Sequence, residues 1–513
     1  MKNILYAAAA ALLIISASIS FGAESGTINL TVVDQETGKP IPFRLYLKTP
    51  KGTGRRLPNL PFWTDHNTID SGRLDLKLPT GYYEFEIESS PEYTTRKGRL
   101  DMPRNGTDAQ TVSLQRVGRM REEGWACADL DNWRSVLETP HIFRSEGLDF
   151  VPIVTWDNSG KNYWESNKPP RPLISSAGRG CYIYPMAGRY EVSGCCVNIF
   201  NLPAPVLSQD DKSKRADAVG YLQSIKEQYP DAWIDCANIA MDDLPILVAL
   251  GLIDSVEILD ACVGRTYMDV PEQGRPYDRE LYPNLKDQVK WKQSIYFHLL
   301  NCGYRIPPTA GSGSGKSKNP LGYNRVYVKL DSQWSVPDFW ACLKKGQAVV
   351  TNGPLITPTV NGFPPGHVFK GKTEYNGKHA LLSLELNLTL ATREQIDYIE
   401  IIKNGEVYKT YRMDDAQKDA VNKLPSVDFD DSGWFLVRVV TESPDTYRCA
   451  ISAPFYVEFD GKPYVKRQSV QYFQRWMIDL AQKLQEQKDR LPPETFKVQA
   501  QRWKEARDVW LSK

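Results

Sequence analysis

The residues best suited to chemistry follow the ends of apolar, strand-like runs in the middle of the chain. They are acidic, amide, hydroxyl or thiol residues at Asp129, Asp131, Asp157, Asn158, Asn201, Asn238, Asp260, Cys262, Ser312 and Ser314. In barrels of parallel strands the active site lies at the carboxyl ends of the strands, so these positions predict one shared mouth. Carboxylates and a thiolate there are suited to acid–base catalysis or to binding zinc or a harder cation. The structural alternative is that loops begin with polar residues wherever strands end.

Other side chains near these positions are candidates for the same mouth. Trp133 and Trp156 lie next to acidic positions and offer aromatic faces on which a saccharide could stack. Arg134 and Arg265 follow strand ends and are the cations nearest in sequence to the acidic residues. His298 lies on the apolar face of a predicted helix, where it is either a base or ligand or a hydrogen-bonded core residue.

The run AGSGSGKS at residues 310–317 fits a relaxed phosphate-binding loop in its letters. Such a loop needs a helix that begins at its lysine, here Lys316, so that backbone N–H groups point at phosphate. Pro320 and Gly322 follow too closely for that helix. The sequence therefore argues against a nucleotide site.

Four segments must position these residues. Apolar and polar residues alternate over residues 23–117 and 354–464, which predicts two β-sandwich domains of antiparallel strands. Over residues 118–353 apolar strands alternate with helices, which favours a parallel sheet in a closed or distorted β/α barrel. In residues 465–513 two amphipathic runs flank a Pro-Pro pair, which predicts a C-terminal helical hairpin.

Composition restricts the compartment and the partners. The chain of 513 residues has 63 Lys and Arg against 62 Asp and Glu without a basic block, which argues against nucleic-acid binding. A positive start, an apolar run and small residues predict a signal peptide over residues 1–22, and no later stretch predicts a membrane span. We therefore expect an exported protein of the periplasm or extracellular space. Its nine cysteines leave at least one without a partner in the chain, and the others are either disulfides or buried thiols.

Five different sequence blocks lie along the central segment. They are Gly124-Trp125 with Asp129-Leu130, residues 298–311, residues 319–328, Phe339-Trp340 with Gly346, and residues 350–354. Together they resemble the CehA/McbA family of metallohydrolases, which belongs to the polymerase and histidinol phosphatase (PHP) superfamily. The resemblance implies a distorted, PHP-like β/α barrel with a metal cluster at its mouth. It also implies metal-dependent hydrolysis of an ester, amide or phosphoester. Separately, Asp34 to Pro42 resembles the first hairpin of carboxypeptidase-regulatory-like domains, which are spacers or binding modules.

The metal-binding motifs that the family would supply are altered in this chain. Its Gly-Asp-Leu-His-x-His is replaced by Ala-Asp-Leu-Asp-Asn-Trp, so Asp131 and Trp133 stand where two histidine ligands are expected. The late Asp-x-His falls on residues 313–315, Gly-Ser-Gly, and a further histidine becomes Cys262. Only two of the five histidines lie in the central segment, too few for a histidine-rich site.

Three functions therefore remain open. The chain is a hydrolase in which a metal activates water, a pseudoenzyme that binds a small molecule such as a saccharide, or a metal-free hydrolase. The catalytic candidates are Asp131, Asp260 and His298, and the ligand-binding candidates are Asp129, Trp133, Arg134, Trp156, Asp157 and Arg265. No cofactor is indicated by motif, and a divalent metal would need a site rebuilt from Asp129, Asp131, Asp157, Asp260 and Cys262.

Overall fold

The structure is a computed structural model that describes residues 24–178, 180–208, 216–270, 274–374, 378–412 and 424–513. The predicted signal peptide lies outside these residues. The protein has several sheets, mostly antiparallel or mixed, and two long helices at its C-terminal end. The prediction of a multidomain, β-rich chain with C-terminal helices is confirmed. No helix among the described residues is both long enough and apolar enough to cross a membrane.

The first segment, residues 24–117, consists of two sheets packed around one apolar core. Its strands are β1 (Ser25–Asp34), β2 (Phe43–Lys48), β3 (Phe62–Trp63), β4 (His66–Ile69), β5 (Arg73–Pro79), β6 (Gly81–Glu88), β7 (Arg96–Met102) and β8 (Thr107–Leu114). The sheets have the orders β5-β1-β8 and β3-β4-β2-β6-β7. Alternate residues of β1, including Ile28, Leu30 and Val32, are buried in the core, as the period of a half-buried strand predicts. One pairing differs from the antiparallel expectation, because β1 and β8 run parallel.

The central segment, residues 118–353, contains ten strands and five helices in its described part. The strands are β9 (Trp125–Ala128), β10 (Phe150–Asp157), β11 (Ser175–Ser176), β12 (Tyr182–Val192), β13 (Cys195–Phe200), β14 (Trp233–Cys236), β15 (Ser255–Leu259), β16 (Pro308–Ala310), β17 (Arg325–Lys329) and β18 (Ala348–Thr351). The helices are α1 (Thr139–Ile142), α2 (Ala218–Gln228), α3 (Leu244–Ala249), α4 (Leu285–Leu300) and α5 (Val336–Lys344). Two short 3₁₀ turns occupy Phe143–Glu146 and Tyr163–Glu165.

The central sheet is mixed, which corrects the expectation of a parallel sheet. Its strand order is β16-β15-β14-β13-β12-β10-β9-β17-β18. The pairs β9–β10, β10–β12, β14–β15 and β15–β16 are parallel, whereas β13 is antiparallel to both neighbours. The reason is local: only Ser193 and Gly194 separate β12 from β13, and Gly194 has a φ of 100°. A two-residue connection forms a hairpin, because a parallel crossover needs a dozen or more residues.

Hydrogen bonds bring the two ends of this strand series together. The backbone N–H of Leu130, just after β9, donates to the carbonyl of Ala310 in β16 at 3.2 Å. A parallel bridge then pairs Asn132 with Ser314. The loops that follow β9, β15 and β16 therefore lie beside one another, as the candidate site requires.

The third segment, residues 354–464, continues the central sheet. Its strands are β19 (Leu355–Val360), β20 (Val368–Lys370), β21 (Leu382–Leu384), β22 (Leu386–Ala391), β23 (Ile396–Lys403), β24 (Glu406–Arg412), β25 (Val427–Phe429), β26 (Gly433–Thr441), β27 (Cys449–Ser452) and β28 (Phe455–Glu458). Strand β27 pairs with β18, so one sheet runs across the predicted boundary. The Asn404-Gly405 pair, a sequence typical of two-residue hairpin turns, joins β23 to β24 with φ angles of 53° and 85°. Both are positive, as the expected type of hairpin turn requires.

The chain ends in the helices α6 (Arg467–Glu486) and α7 (Pro493–Ser512), which pack against each other and against the central segment. The buried Trp510 of α7 donates its indole N–H to the carbonyl of Pro245 in α3 at 2.9 Å. Helix α6 lies along α4 and α3. The hairpin is thus part of the main apolar core.

Candidate functional site

A cavity of about 540 Å³ lies at the ends of the central strands. We call it the mouth cavity. The β12–β13 hairpin and the loops after β9, β14 and β15 surround it. Four of the predicted strand-end residues, Asp131, Asn238, Asp260 and Cys262, line it together. Residues that are far apart in the sequence therefore lie close together. Arg189 and Glu191 of β12 also line the cavity, and the sequence did not predict them.

Asp260 and Cys262 meet a buried lysine. Lys292 of α4 forms an ion pair with the Asp260 carboxylate, and its Nζ lies 3.8 Å from the Cys262 Sγ. Burial opposes charge on Lys292, but Asp260 and then Cys262 raise its pKa above the usual value, so it is an ammonium ion. Burial also raises the pKa of Cys262, which is therefore a thiol at neutral pH. The chain thus places its own cation between these two side chains.

A second cation, Arg189, lines the mouth cavity. Its guanidinium donates to Asn198 Oδ1 at 3.0 Å and to the Cys196 Sγ at 2.8 Å. Burial opposes its charge, while Cys196, Asp131 and Glu191 raise its pKa above the usual value. The carboxylate within ion-pair distance is that of Glu191, 3.7 Å from the Arg189 Nε, and Asp131 adds a longer-range attraction.

Asp131 is held by its neighbours in a defined orientation. Its Oδ1 accepts the indole N–H of Trp133 at 2.7 Å. The loop after β16 approaches it closely at Gly311, where an added Cβ would lie 2.5 Å from the Asp131 Cβ. A side chain at Gly311 would therefore displace Asp131, which explains the glycine at this position.

Two buried carboxyl groups lie beneath the mouth cavity, and sequence reasoning missed both. Asp235 of β14 accepts hydrogen bonds from Ser255 and Thr309, and Glu257 of β15 accepts one from Asn198 at 3.2 Å. Burial raises the pKa of each carboxyl, most strongly that of Glu257. The second oxygen of each has no partner outside this pair among the described residues, and a hydrogen bond with Glu257 acts to lower the pKa of Asp235 against the effect of burial. The available signal was an acidic residue inside a fully buried strand, as in Trp-Ile-Asp-Cys and Ser-Val-Glu-Ile-Leu.

These residues do not fit the metal cluster that the family resemblance implies. Within the described ranges, no group of three or more His, Cys, Asp or Glu side chains is arranged to hold a metal ion. The Asp260 carboxylate is already bound by the Lys292 ammonium, and the Cys262 thiol lies beside the same charge. A divalent ion bound by Asp260 and Cys262 would meet that ammonium at close range, where two positive charges repel.

Several other predicted site residues have structural positions away from the mouth cavity. Asp129 accepts three backbone N–H groups, from Asp131, Ser312 and Gly322, at 2.7–3.1 Å. Its burial nevertheless raises its pKa to about 6. Asp157 accepts the backbone N–H groups of its own turn at Ser159 and Lys161. Both carboxylates therefore organise loops.

His298 and Trp156 are also core residues. His298 Nδ1 lies 2.9 Å from the Ser469 hydroxyl, and its ring stacks on Tyr472, with burial lowering its pKa to about 4. It fits the core alternative and does not line the mouth cavity. Trp156 is 1% exposed and packs on Gly188, where an added Cβ would come within 2.1 Å of its ring. A buried indole offers no face to a saccharide.

The two predicted arginines bind the first segment instead of the acidic cluster. Arg134 stacks on Trp63 with its guanidinium carbon 4.6 Å from the ring centroid. Arg265 forms ion pairs with Glu86 and Glu88 at 2.8 Å and stacks on Tyr46. Sequence proximity to the acidic residues was misleading, because both loops turn towards the first segment.

Trp133 lies at the rim of the site with cations on its ring. Lys316 Nζ is 3.2 Å from the ring centroid and Lys161 Nζ is 4.9 Å away. Lys316, the lysine of the glycine-serine run, therefore contacts an aromatic ring, and no helix begins there. The indole face is covered, which weakens the prediction of saccharide stacking.

Comparison with known proteins adds little to this geometry. No family model and no curated protein matches the chain. Among solved structures, a minor pilin of the Gram-positive pathogen Streptococcus agalactiae is 20% identical over 19% of this chain and 46% of the pilin, with a TM-score of 0.16. The Bacillus anthracis TIE protein is 16% identical over 22% of this chain and 20% of that protein, also with a TM-score of 0.16. The chain thus spans less than half the length of either structure, and similarity this low carries no argument about fold or function.

Proposed function

We propose that this protein is an exported CehA/McbA-like homologue that has replaced metal-dependent hydrolysis by ligand binding. In this proposal residues 118–353 form a PHP-like barrel, and the mouth cavity binds a small polyhydroxylated molecule. The observation that carries it is the Lys292 ammonium, which lies against Asp260 and Cys262 where the resemblance implies a metal. A cation supplied by the chain neutralises the carboxylate without providing a metal-activated water.

The charges of the cavity indicate the chemistry of the ligand. Lys292 binds Asp260, and Lys483 binds Asp242 at 2.8 Å, so two of the lining carboxylates are matched by lysines. Asp131 and Glu191 then share the single guanidinium of Arg189. A slight excess of negative charge favours a neutral or cationic ligand over an anionic one. Hydroxyl groups donate to carboxylates and accept from a guanidinium, so a polyol, saccharide or amino sugar fits this lining.

The size of the cavity agrees with such a ligand, since small-molecule sites generally measure about 300–1,000 Å³. Recognition would rest on hydrogen bonds rather than stacking, because Trp156 is buried and the face of Trp133 is covered. Hydrolysis by Asp131 and Asp260 as acid and base has less support, because Asp260 is engaged by Lys292. Hydrolysis through a metal has less support for the same reason.

The test is calorimetric titration of the full chain with neutral sugars, amino sugars and sugar acids, with and without added zinc or manganese. We expect metal-independent binding of a neutral or amino sugar. The Asp131→Asn and Arg189→Met variants should weaken it at least about tenfold, as expected for hydrogen bonds to charged groups. Asp157→Asn is the matched control, because Asp157 is a buried carboxylate at a neighbouring strand end that does not line the cavity.

Two outcomes would contradict the proposal. One is the absence of binding to any sugar in the panel. The other is metal-dependent cleavage of a chromogenic ester, amide or phosphodiester that Asp131→Asn abolishes and Asp157→Asn leaves intact.

A further inference from the structure

A second, smaller cavity lies where the three segments meet, and arginines dominate its walls. Its volume is about 30 Å³. We call it the arginine cavity. The arginines that line it are Arg44, Arg265, Arg325, Arg393 and Arg448. Arg44 belongs to β2 of the first segment, Arg265 and Arg325 to the central segment, and Arg393 and Arg448 to the third.

Carboxylates balance only part of this charge. Glu88 binds Arg44 at 2.5 Å and Arg265 at 2.8 Å. Glu146 binds Arg44 at 2.6 Å, Glu86 binds Arg265 at 2.8 Å, and Glu394 binds Arg448. Five guanidinium groups therefore face four carboxylates, all within the described residues. Burial raises the pKa of Glu146, which weakens its share of the compensation.

Arg325 and Arg393 have only neutral acceptors. Arg325 Nη1 donates to the carbonyl of Glu146 at 2.7 Å. Arg393 donates to the carbonyls of Ser89, Ser90 and Tyr93. In the described chain neither arginine has a carboxylate within ion-pair distance. Carbonyl groups satisfy N–H donors but leave the positive charge in place, and buried net charge is expensive.

Several N–H donors around the arginine cavity also lack an acceptor. The Nε atoms of Arg44, Arg265, Arg325 and Arg448 are buried and have no hydrogen-bond partner among the described residues. Arg44 and Arg325 are the most deeply buried, with 5% and 2% of their surface exposed. A buried donor without an acceptor costs about 1–3 kcal/mol, and more when it is charged. Unmatched charge and unmatched donors thus occur around the same small space.

We propose that the arginine cavity binds a small inorganic anion, with chloride as the species that fits its size and charge. The volume holds about two water molecules, which suits a monatomic ion better than the larger phosphate, sulfate or an organic carboxylate. The anion accepts the unmatched N–H donors and neutralises the excess guanidinium charge. Because the arginines come from all three segments, the bound anion also joins these segments.

The first experiment measures thermal unfolding of the full chain in sodium gluconate, with gluconate replaced stepwise by chloride or bromide at constant ionic strength. We expect a halide-specific rise in Tm of about 3 °C at a halide concentration one hundred times the Kd, growing with the logarithm of the concentration above it. Crystals grown or soaked in bromide should show an anomalous peak inside the arginine cavity, within hydrogen-bond distance of the arginine N–H groups. The absence of both a halide-specific rise and a peak in the cavity would overturn the proposal.

The second experiment removes one positive charge without deleting an ion pair. Arg393→Gln should lose most of the halide-dependent rise, since it brings guanidinium and carboxylate groups into balance. Arg116→Gln is the control, because Arg116 is a partly buried, ion-paired arginine that does not line this cavity. This substitution should leave the halide-dependent rise in Tm unchanged. A full rise in Arg393→Gln, or bromide bound only at surface arginines, would refute the proposal. The bromide peak in the parent decides the matter if Arg393→Gln does not fold.

Discussion

The ion pair between Asp260 and Lys292 provides the most direct test of the reasoning about the mouth cavity. The side chains are only 8% and 6% exposed, so neither charge is well solvated. Removing one partner of a buried pair leaves an uncompensated charge and destabilises by about 3–5 kcal/mol. We therefore expect Asp260→Asn and Lys292→Met each to lower the free energy of unfolding by about that amount.

The double variant should be more stable than the sum of the single losses indicates. Asparagine and methionine approximate the volumes of the two side chains, and replacing both charges is often close to neutral. The coupling energy between Asp260 and Lys292 should thus be at least about 3 kcal/mol, even if the double variant is as unstable as one single variant. The assay is urea unfolding of the full chain, followed by tryptophan fluorescence, for the parent, both single variants and the double variant.

A matched control is the Asp242–Lys483 pair on the same cavity. It joins the same two residue types at 2.8 Å, but its lysine side chain is 44% exposed. Its coupling energy should therefore stay below about 1 kcal/mol. If the Asp260–Lys292 coupling were equally small, Lys292 would not be the cation that this site requires, and the argument for a metal-free mouth would fail.

Four further expectations concern individual groups. The pKa of Asp129 is about 6 in the folded protein against a reference of 3.8. Its contribution to the free energy of unfolding is therefore greatest below pH 3.8 and falls by about 3 kcal/mol as the pH rises from 3.8 through 6. Asp129→Asn should accordingly flatten the dependence of unfolding free energy on pH between 4 and 7 in denaturation curves. Lys316→Ala removes the cation from the Trp133 ring and should lower the free energy of unfolding by about 0.5–2 kcal/mol. Titration with ATP should detect no binding to the parent or to the variant. Arg134→Met loses the contact with Trp63 and should speed proteolytic release of the first segment while leaving sugar affinity unchanged. Elemental analysis of protein purified without chelator should find well under one equivalent of zinc, manganese or iron, and a stoichiometric metal lost in Asp131→Asn would contradict this.

Strands could be predicted where turn residues lie at both ends of a continuous apolar run. The apolar residues and flanking turn residues predict strands at Cys195–Phe200 and Ser255–Leu259, and the structure has strands with these bounds. Strand β12, although eleven residues long, was missed because Pro185 and Gly188 interrupt its pattern. Without β12, the sequence did not reveal Arg189, which lies in this strand. It also did not reveal the antiparallel pairing of β12 with β13 that makes the sheet mixed.

The site was predictable only in part for a related reason. Polar residues at strand ends are visible in a sequence, and Asp131, Asp260 and Cys262 were found in this way. Lys292 comes from a helix, and a lysine within a helix is usually solvated. A signal did exist, because Lys292, Ile295 and Leu299 share one helical face at i, i+3 and i+7, and the other two residues are fully buried. Its partner, however, is fixed by tertiary packing, which no local pattern reveals.

Contacts at its start and near its end hold helix α4, which carries Lys292, in place. A lysine can replace a bound cation only if its helix is held firmly, since the ammonium must remain against Asp260. Helix α4 is capped at its start, where the Asn284 side chain accepts the backbone N–H of Asp287 at 3.0 Å. Less than two turns beyond Lys292, His298 bonds to Ser469 and stacks on Tyr472 of α6. Because burial keeps this histidine neutral at physiological pH, the contact does not change with protonation there. His298 therefore belongs to the support of the mouth cavity, and the C-terminal helices fix the residue that sets its charge.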